Sequence, residues 1–341
     1  MRPQLLVVGE CLSKSDEDGP FTDGNGKFFK AMLRQSGIEP RQTRFMNVFP
    51  RTPPRGAGPL AFFGPQADSR KGVKMLRKKY YIREEYYRHI ERCRELVAHA
   101  DAYLTLCVGE AAMWALTTET SIEASRGRVT NGNHTINKLK CLPILSPRAI
   151  QMDWTQRPIF LADLDKARRE MDFPEVRRPK HLIYLSPSLE DMEDFYTKHL
   201  ANATDISCDI ETKGEHITCI SFAPTSDLAL VVPFYTEKKP SGNYWPSHRE
   251  EIMAWNFVAR VLRLPCRLKG QNFQYDMQYL WRFMKIPCPH WSDDTMLLHH
   301  ALQPEMRKGL GFLGSIYTNE VSWKQMHHVR SDDKSSKKED L

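Results

Sequence analysis

Two acidic side chains, Asp209 and Glu211, lie two residues apart in the run DISCDIET. The apolar alternation of this run favours a β-strand, and side chains two apart on a strand leave the same face of the sheet. Paired carboxylate oxygens are the hard ligands that Mg²⁺ or Mn²⁺ prefers. The spacing alone is common, since Asp191 and Glu193 repeat it in a helical pattern where the charges would be solvated. The motif therefore predicts a metal site only together with further acidic residues.

Further acidic residues stand where predicted elements begin. The segment GQNFQYDMQYL places Asn272 and Asp276 at the junction of a predicted strand and a predicted helix. Asp294 begins another predicted helix, DTMLLHHAL, and the apolar stretch GLGFLGSIY follows it. Because these residues accompany the D-x-E strand in a pattern of strands and helices, the metal-site hypothesis becomes specific.

Together, DIET, NFQYD and DTMLLHHAL…GLGFLGSIY resemble the DEDD-type 3′→5′ exonuclease domain of family A DNA polymerases, especially phage-type ones, over about residues 182–324. The resemblance implies a ribonuclease H-like α/β fold. It also implies that Asp209, Glu211 and Asp276 are catalytic and hold two Mg²⁺ or Mn²⁺ ions. In the family such ions activate a water and stabilise the leaving 3′ oxygen.

The same resemblance gives roles to three neighbouring residues. Asn272 and Tyr275 fill positions of the second motif, where they could contact the DNA strand or support the site. Asp294 matches a frequent Asp that helps to order its helix, and we do not expect it to bind metal.

The third motif of that family, a Tyr four residues before an Asp, does not follow Trp323 and Lys324. His327 and Asp332 have the spacing of the histidine branch of the superfamily, but the polar sequence over 325–341 favours a solvated tail. We therefore expect the N-terminal part of a longer polymerase, or a split polypeptide whose partner supplies the last motif.

The first half contains a Gly-Glu turn after an apolar run, QLLVVGE, then an acidic loop and the stretch PFTDGNG. With LCVG and LPILSP, these segments resemble the uracil-DNA glycosylase superfamily, closest to its iron–sulfur branch, over about 1–171. The resemblance implies a three-layer α/β domain in which a flipped base is stacked and read by its edge. Phe21 matches the stacking aromatic and Asn47 the amide that reads a pyrimidine. The predicted base-pocket residues are Gly9, Glu10, Phe21, Asn47 and Ser146.

Structural roles stay open for two of these residues, because Phe21 could pack on the sheet and Asn47 could be a turn residue at a strand end. Two departures weaken a catalytic role. Residues 11–13 read CLS where the family usually has Ala-Pro-Gly, and residues 146–148 read SPR where it usually has His-Pro-Ser. We expect a degenerate DNA-binding or base-sensing module, with an active uracil-DNA glycosylase as the alternative.

The eight cysteines are scattered and form no C-x-x-C pair. They indicate neither a disulfide framework nor a zinc site, and we expect no iron–sulfur cluster. The N-terminal segment lacks the features of a secretory signal, and no apolar run approaches the roughly 18 residues that span a bilayer. We therefore expect a cytoplasmic protein without a membrane partner, in the host cytoplasm if a bacteriophage encodes it.

The positive charge is concentrated in one segment. Residues 70–94 contain ten Lys and Arg against three Glu, whereas the whole chain has 49 against 42, so the remainder is neutral. We predict a helix at about 75–99 whose cations, including Lys78, Lys79 and Arg83, bind phosphates while interleaved Tyr rings stack on unpaired bases. The alternative is an amphipathic helix with Tyr, Ile and Leu in the core and solvated charges.

A chain of 341 residues exceeds one ordinary core, and alternating strands and helices favour α/β domains with mostly parallel sheets. We predict a glycosylase-like domain at 1–171, a Pro-bracketed linker at 172–181, an exonuclease domain at 182–324 and a polar tail at 325–341. The expected function is proofreading in DNA replication, with single-stranded DNA 3′ ends as substrate and a polymerase domain or subunit as partner. The alternative is a non-catalytic fragment that binds DNA or tethers a polymerase.

Overall fold

The computed structural model describes residues 5–16, 19–54, 58–76, 80–117 and 119–320. They form two compact units, one from Met1–Arg178 with Gly311–Leu341 and one from Pro179–Leu310. The second unit is thus an insertion in the first. The predicted linker at 172–181 contains the first junction, whereas the predicted exonuclease domain at 182–324 runs past the second junction into residues of the first unit.

The first unit is built on a mostly parallel sheet. Its strands are β1 (Leu5–Cys11), β2 (Thr43–Phe49), β3 (Phe63–Gly64), β4 (Tyr81–Ile82), β5 (Leu104–Val108), β6 (Thr130–Asn131) and β7 (Lys140–Ile144). The five-stranded sheet has the order β2-β1-β5-β7-β6, and only the β6–β7 pair is antiparallel. β3 and β4 form a separate antiparallel pair.

Helices cover both faces of this sheet. They are α1 (Gly24–Gln35), α2 (Glu84–Ala98), α3 (Glu110–Thr117), α4 (Ile122–Ser125), α5 (Pro147–Met152) and α6 (Arg157–Glu170). Leu6 and Val8 of β1 pack in the cluster with α2 and α3, while Leu5 and Val7 pack in the cluster with α1 and α6. The unbroken apolar run of β1 is typical of a strand buried on both faces.

The predicted helix at 75–99 is wrong in its first part, because α2 begins only at Glu84. Before it, Ile82 is buried and pairs with Phe63, which places this stretch in a strand. Lys78 and Lys79 lie outside the described residues. Arg83 bonds Asp68 at 3.1 Å and the Phe63 carbonyl at 3.2 Å, so this cation is paired within its own unit.

The second unit has a mixed sheet. Its strands are β8 (Leu182–Tyr184), β9 (Asp205–Lys213), β10 (His216–Thr225), β11 (Leu228–Pro233), β12 (Arg267–Gly270) and β13 (Trp291–Asp294). Its helices are α7 (Leu189–Phe195), α8 (His248–Leu262), α9 (Gln274–Met284) and α10 (Thr295–Leu302). The strand order is β13-β12-β9-β10-β11-β8. β9 pairs with β12 in parallel and with β10 in antiparallel orientation, so the D-x-E strand lies inside the sheet.

After the second unit, α11 (Leu310–Tyr317) returns the chain to the first. Lys166 is buried and donates to the carbonyls of Gly127, Ser315 and Thr318 at 2.6–2.8 Å. Arg126, also buried, donates to the Ser315 hydroxyl at 3.1 Å. Residues 311–317 of the GLGFLGSIY stretch therefore belong to the first unit, and buried polar contacts hold them there.

No helix among the described residues is both long enough and apolar enough to cross a bilayer. The eight cysteines all lie in the described ranges and are free thiols.

Candidate functional site

Strand β9 presents two acidic side chains on its solvent face. Ile206, Cys208 and Ile210 are buried, and the alternating Asp209 and Glu211 are exposed. Since the buried apolar residues determine the register, both carboxylates must leave the same side of the sheet. Partial desolvation, and then the charge of Glu211, raise the pKa of the Asp209 carboxyl group.

A third acidic side chain, Asp276, reaches β9 from the first turn of α9. It is only 3% exposed, and its Oδ1 accepts the N–H of Ile210 at 2.8 Å. Ile210 is the residue between Asp209 and Glu211. Burial, and next the charge of Asp209, raise the pKa of Asp276 to about 7 although the Ile210 N–H opposes this shift. The structure thus brings all three predicted catalytic carboxylates to one stretch of β9.

Asp294 fixes the start of α9. It is buried at the end of β13, and its oxygens accept the N–H groups of Asn272 at 3.0 Å and Phe273 at 2.8 Å. It also caps α10 by accepting the Met296 N–H at 2.8 Å. Asn272 has a φ of 55°, the left-handed conformation that turns the chain from β12 into α9. Asp294 therefore positions the turn that aims Asp276.

The two residues predicted to contact DNA in this unit lie beside the carboxylates. The Asn272 side chain is exposed, and Tyr275 is 43% exposed. The Tyr275 hydroxyl shares a hydrogen bond of 2.8 Å with that of Thr212, next to Glu211 on β9. This bond anchors Tyr275 next to the carboxylate strand while part of the residue stays exposed.

The chemistry of these donors suits a hard divalent cation. Neighbouring negative charge contributes to the raised pKa of both Asp209 and Asp276, and a bound cation would reverse that contribution. As the side chains stand, the described residues contain no group of three or more His, Cys, Asp or Glu arranged to hold a metal ion. The three carboxylates lie at the same stretch of β9, but their side chains do not form a complete set of metal ligands.

The first unit has a cavity of about 770 Å³ where the carboxyl ends of β1, β2 and β7 meet. Ligands of parallel α/β sheets commonly bind at this edge. The cavity wall contains all five predicted base-pocket residues: Gly9, Glu10, Phe21, Asn47 and Ser146. They come from β1, the loop before α1, β2 and the N-terminal cap of α5.

The side chains of Phe21 and Asn47 both lie against Gly9. A Cβ atom at Gly9 would overlap Asn47 Oδ1 and would lie 2.5 Å from Phe21 Cζ, so a larger residue there would displace these side chains. The Phe21 ring also packs against Phe29 and Phe45, with ring centroids 5.4 and 5.5 Å away. Phe21 therefore combines packing on the sheet with exposure to the cavity. Asn47 lies inside β2 in register with Gly9 and is not a turn residue.

The side chain of Glu10 lies at the start of α3 and is partly buried. Its Oε1 accepts the Ala111 N–H at 3.0 Å. Burial, and then the charge of Glu110, raise the pKa of Glu10 to about 7. Ser146 caps α5, because its Oγ accepts the Ala149 N–H at 3.3 Å.

No protein-family profile matches the chain, and no curated protein matches it. Among solved structures, it is similar to crystal structures of the EXD2 exonuclease domain soaked in Mg and of that domain soaked in Mg and dGMP. The TM-score is 0.27 for both, with 12% and 11% identity. The matches cover 45% and 46% of this chain and 84% and 85% of those chains. Similarity at this level supports no statement about activity.

Two features near the carboxylates were not predicted from the sequence. Tyr279 and Phe283 continue from Tyr275 along α9, with ring centroids 4.7 and 5.3 Å apart in succession. Their spacing of four residues in YDMQYLWRF was a usable signal. The second feature is a bulge at Thr218 of β10, opposite Glu211, and no glycine marks it in the sequence.

Proposed function

We propose that the chain is a divalent-metal-dependent exonuclease that removes 3′-terminal nucleotides from single-stranded DNA with the acidic residues of its second unit. The hydrogen bond from Ile210 to Asp276 carries this proposal, because it joins the D-x-E strand to a carboxylate from a separate helix. When bound, two metal ions would activate a water and stabilise the leaving 3′ oxygen.

One carboxylate of the site is fixed in position, and the other two can change their side-chain conformation. Asp276 is held in place because its Oδ1 accepts the Ile210 N–H. Asp209 and Glu211 are exposed, so their side chains can rotate toward Asp276 and complete the donor set. Asn272 and Tyr275 stand where they can orient the strand end.

The test uses 5′-labelled single-stranded DNA with Mg²⁺ or Mn²⁺. We expect shortening from the 3′ end, and a rate at least about 100-fold lower in Glu211→Gln, equal to about 2.7 kcal/mol of barrier. The matched control is Glu193→Gln, which changes the same residue type in the other D-x-E pair. Glu193 is exposed on α7 and pairs with Arg260 at 2.6 Å, so its loss should leave the rate unchanged. No shortening by the unmodified chain, or full activity of Glu211→Gln, overturns the proposal.

A second candidate function belongs to the first unit: its cavity binds an unpaired nucleobase without removing it. Phe21 and Asn47 both line the cavity, and the side-chain amide of Asn47 forms no hydrogen bond with any described residue. Those donor and acceptor atoms are therefore available to a base edge. The sequence SPR at 146–148 offers no His to stabilise a leaving base, which favours binding over cleavage.

A uracil-containing oligonucleotide distinguishes binding of a base from its removal. A uracil-containing oligonucleotide should yield no abasic site, and its binding should weaken in Asn47→Ala while Asn25→Ala, on the cavity rim in α1, keeps it. Abasic-site formation would establish cleavage instead, and equal binding by Asn47→Ala would remove the base site.

The replication setting and the polymerase domain or subunit as partner rest on the motif resemblance alone and stay predictions. Primers with matched and mismatched 3′ ends test the proofreading role, since a proofreading nuclease shortens the mismatched end faster. DNA and RNA strands of one sequence test the choice of substrate.

A further inference from the structure

An aromatic series leads away from the carboxylates along α9. Tyr275, Tyr279 and Phe283 are four residues apart and therefore share one face of the helix. The Tyr275 hydroxyl is hydrogen-bonded to Thr212, and the Tyr279 hydroxyl donates to the Gly214 carbonyl at 3.0 Å. The series thus follows β9 from the carboxylates to the turn at the end of the strand.

A pocket of about 730 Å³ opens where the series ends. Phe283 forms part of its wall, together with Tyr235 and Trp255. The Trp255 ring is stacked on Phe234, with centroids 3.7 Å apart and planes 10° from parallel. This stack holds the indole plane in place, so the pocket offers fixed aromatic surface to a flat ligand.

A β-bulge connects the pocket to the carboxylate strand. The β9–β10 register shifts between Ile217 and Cys219, which leaves Thr218 as the extra residue opposite Glu211. The Thr218 hydroxyl donates to the Glu211 carbonyl at 2.9 Å, and Thr218 also lines the pocket. Bulges re-aim side chains and are frequent next to active sites. The pocket wall is therefore hydrogen-bonded to the backbone of Glu211, one of the three acidic residues of the site.

The charges of the pocket favour a base over a phosphate. Its ionisable side chains are Glu215 and Glu251, which would repel a phosphate, and the basic Lys213 and His216, so the pocket has no excess of cations. The Lys213 ammonium group lies 4.3 Å from the Tyr235 ring centroid and donates to the Tyr235 hydroxyl at 2.7 Å. Aromatic faces with few accessible cations are suited to an unpaired base whose backbone stays outside.

We propose that this pocket binds an unpaired base of the DNA strand, upstream of the 3′ terminus, while intervening bases stack along Tyr275, Tyr279 and Phe283. The inference rests on the proposed exonuclease function for the position of the 3′ end. Tyr275 and Phe283 are about 12 Å apart along the helix axis. That distance covers about three to four stacked nucleotides at about 3.4 Å each. An octanucleotide reaches the pocket, whereas a dinucleotide at the carboxylates does not.

The test measures binding of 5′-fluorescein-labelled dinucleotide and octanucleotide DNA by polarisation with Ca²⁺ in place of Mg²⁺ or Mn²⁺, so that a hard cation can hold the 3′ end at the carboxylates, and a gel verifies that the DNA stays intact. Phe283→Leu keeps apolar volume but removes the aromatic face. We expect it to weaken octanucleotide binding at least about fivefold, as for one lost base stack, and to leave dinucleotide binding unchanged. Trp281→Leu is the matched control, since Trp281 is 57% exposed on the same helix but outside the aromatic series, and both affinities should stay as in the parent. Tyr279→Leu provides a second variant, and melting curves verify that each variant is folded.

Octanucleotide affinity equal to the parent in folded Phe283→Leu and Tyr279→Leu overturns the base pocket. An equal loss for both oligonucleotides also overturns it, because the effect would then lie at the carboxylates. Cleavage in Mn²⁺ is scored separately with the parent protein. Selective octanucleotide loss without any cleavage would keep the pocket and reject the exonuclease.

Discussion

Asp276 in the second unit and Glu10 in the first carry the same raised pKa, about 7, and in both burial is the largest cause. Each also accepts one backbone N–H, from Ile210 and Ala111 respectively. The two groups differ in what surrounds them. Asp276 lies against a strand with exposed carboxylates on one face, whereas Glu10 lines a cavity together with the ring of Phe21.

A raised carboxyl pKa therefore does not by itself show which ligand a site binds. Where further carboxylates face solvent nearby, a cation can be bound and the repulsion among them relieved. In the cavity of Glu10, the other two carboxylates, Asp16 and Asp23, already accept backbone N–H groups, so a neutral hydrogen-bonding ligand beside the Phe21 ring is the better fit. The neighbours, and not the pKa, separate the two sites.

The largest effect is expected for Asp276→Asn. The amide oxygen can still accept the Ile210 N–H, so shape and position are kept while the charge is lost. We expect nuclease activity to fall at least about 1000-fold, equal to about 4 kcal/mol of barrier. Initial rates on labelled DNA measure the change, with Glu10→Gln as the matched control at an unaltered rate. Activity within tenfold of the parent would separate Asp276 from the chemistry.

Divalent metal should stabilise the parent protein and not Asp209→Asn. A ligand at 100 times its dissociation constant adds about 2.7 kcal/mol to the free energy of unfolding. Thermal melts with Mg²⁺ and with EDTA measure this difference. Glu10→Gln should keep the full metal response, since the other two carboxylates of its cavity, Asp16 and Asp23, are already bonded to backbone N–H groups. A response lost in Glu10→Gln but kept in Asp209→Asn would reverse the assignment of the two sites.

Gly9→Ala tests the cavity. The added Cβ would overlap Asn47 and Phe21, and overpacking of this kind costs about 1–3 kcal/mol. Gly24→Ala is the control, because a Cβ at Gly24 meets nothing within 4 Å. Denaturant melts should show a lower free energy of unfolding for Gly9→Ala and an unchanged or higher value for Gly24→Ala. Nuclease activity of folded Gly9→Ala should equal that of the parent.

The smallest effect is a pH dependence at Glu10. Its pKa in the folded state is about 7, above the value of about 4.3 in an unfolded chain. The folded state therefore holds the proton more tightly, and the parent loses stability as pH rises from about 4 to about 7. The full pKa difference corresponds to about 3.7 kcal/mol, and solvent screening reduces it because Glu10 is partly exposed on the cavity wall. Glu10→Gln lacks this loss, so it should be more stable than the parent by about 1 kcal/mol at pH 8 and equal at pH 4. Denaturant melts at both pH values measure it; a larger difference at pH 4 would contradict the raised pKa.

The alternation of apolar residues was enough to predict on which face of a strand its side chains lie. Ile206, Cys208 and Ile210 fix the face of β9, and so Asp209 and Glu211 could be placed together from the sequence. The contact between Ile210 and Asp276 joins residues 66 positions apart, and only the motif resemblance pointed to it. No periodic pattern states which distant segments meet.

Two misplaced segments show where such patterns fail. β4 has two residues, too few for a period, and the predicted helix at 75–99 extended over it. The apolar stretch around Ser315 was expected in the exonuclease domain, but its partners Arg126 and Lys166 lie 189 and 149 positions upstream. An apolar stretch predicts that its residues are buried, but it does not show against which part of the protein they pack.

The return of the chain after the second unit has a consequence for synthesis. The ribosome makes Arg126 and Lys166 long before the carbonyl and hydroxyl groups of 311–320 that satisfy them. Before then, Arg126 can pair with Asp163 and Lys166 can donate to the Gly127 carbonyl, but their bonds to 311–320 can form only after the next 132 residues have emerged. A buried cation with an incomplete set of partners is costly, so we expect this part of the first unit to be completed late. Pro179–Leu310 is continuous and needs nothing downstream for its sheet. The unit that begins second on the ribosome is therefore the one able to finish first.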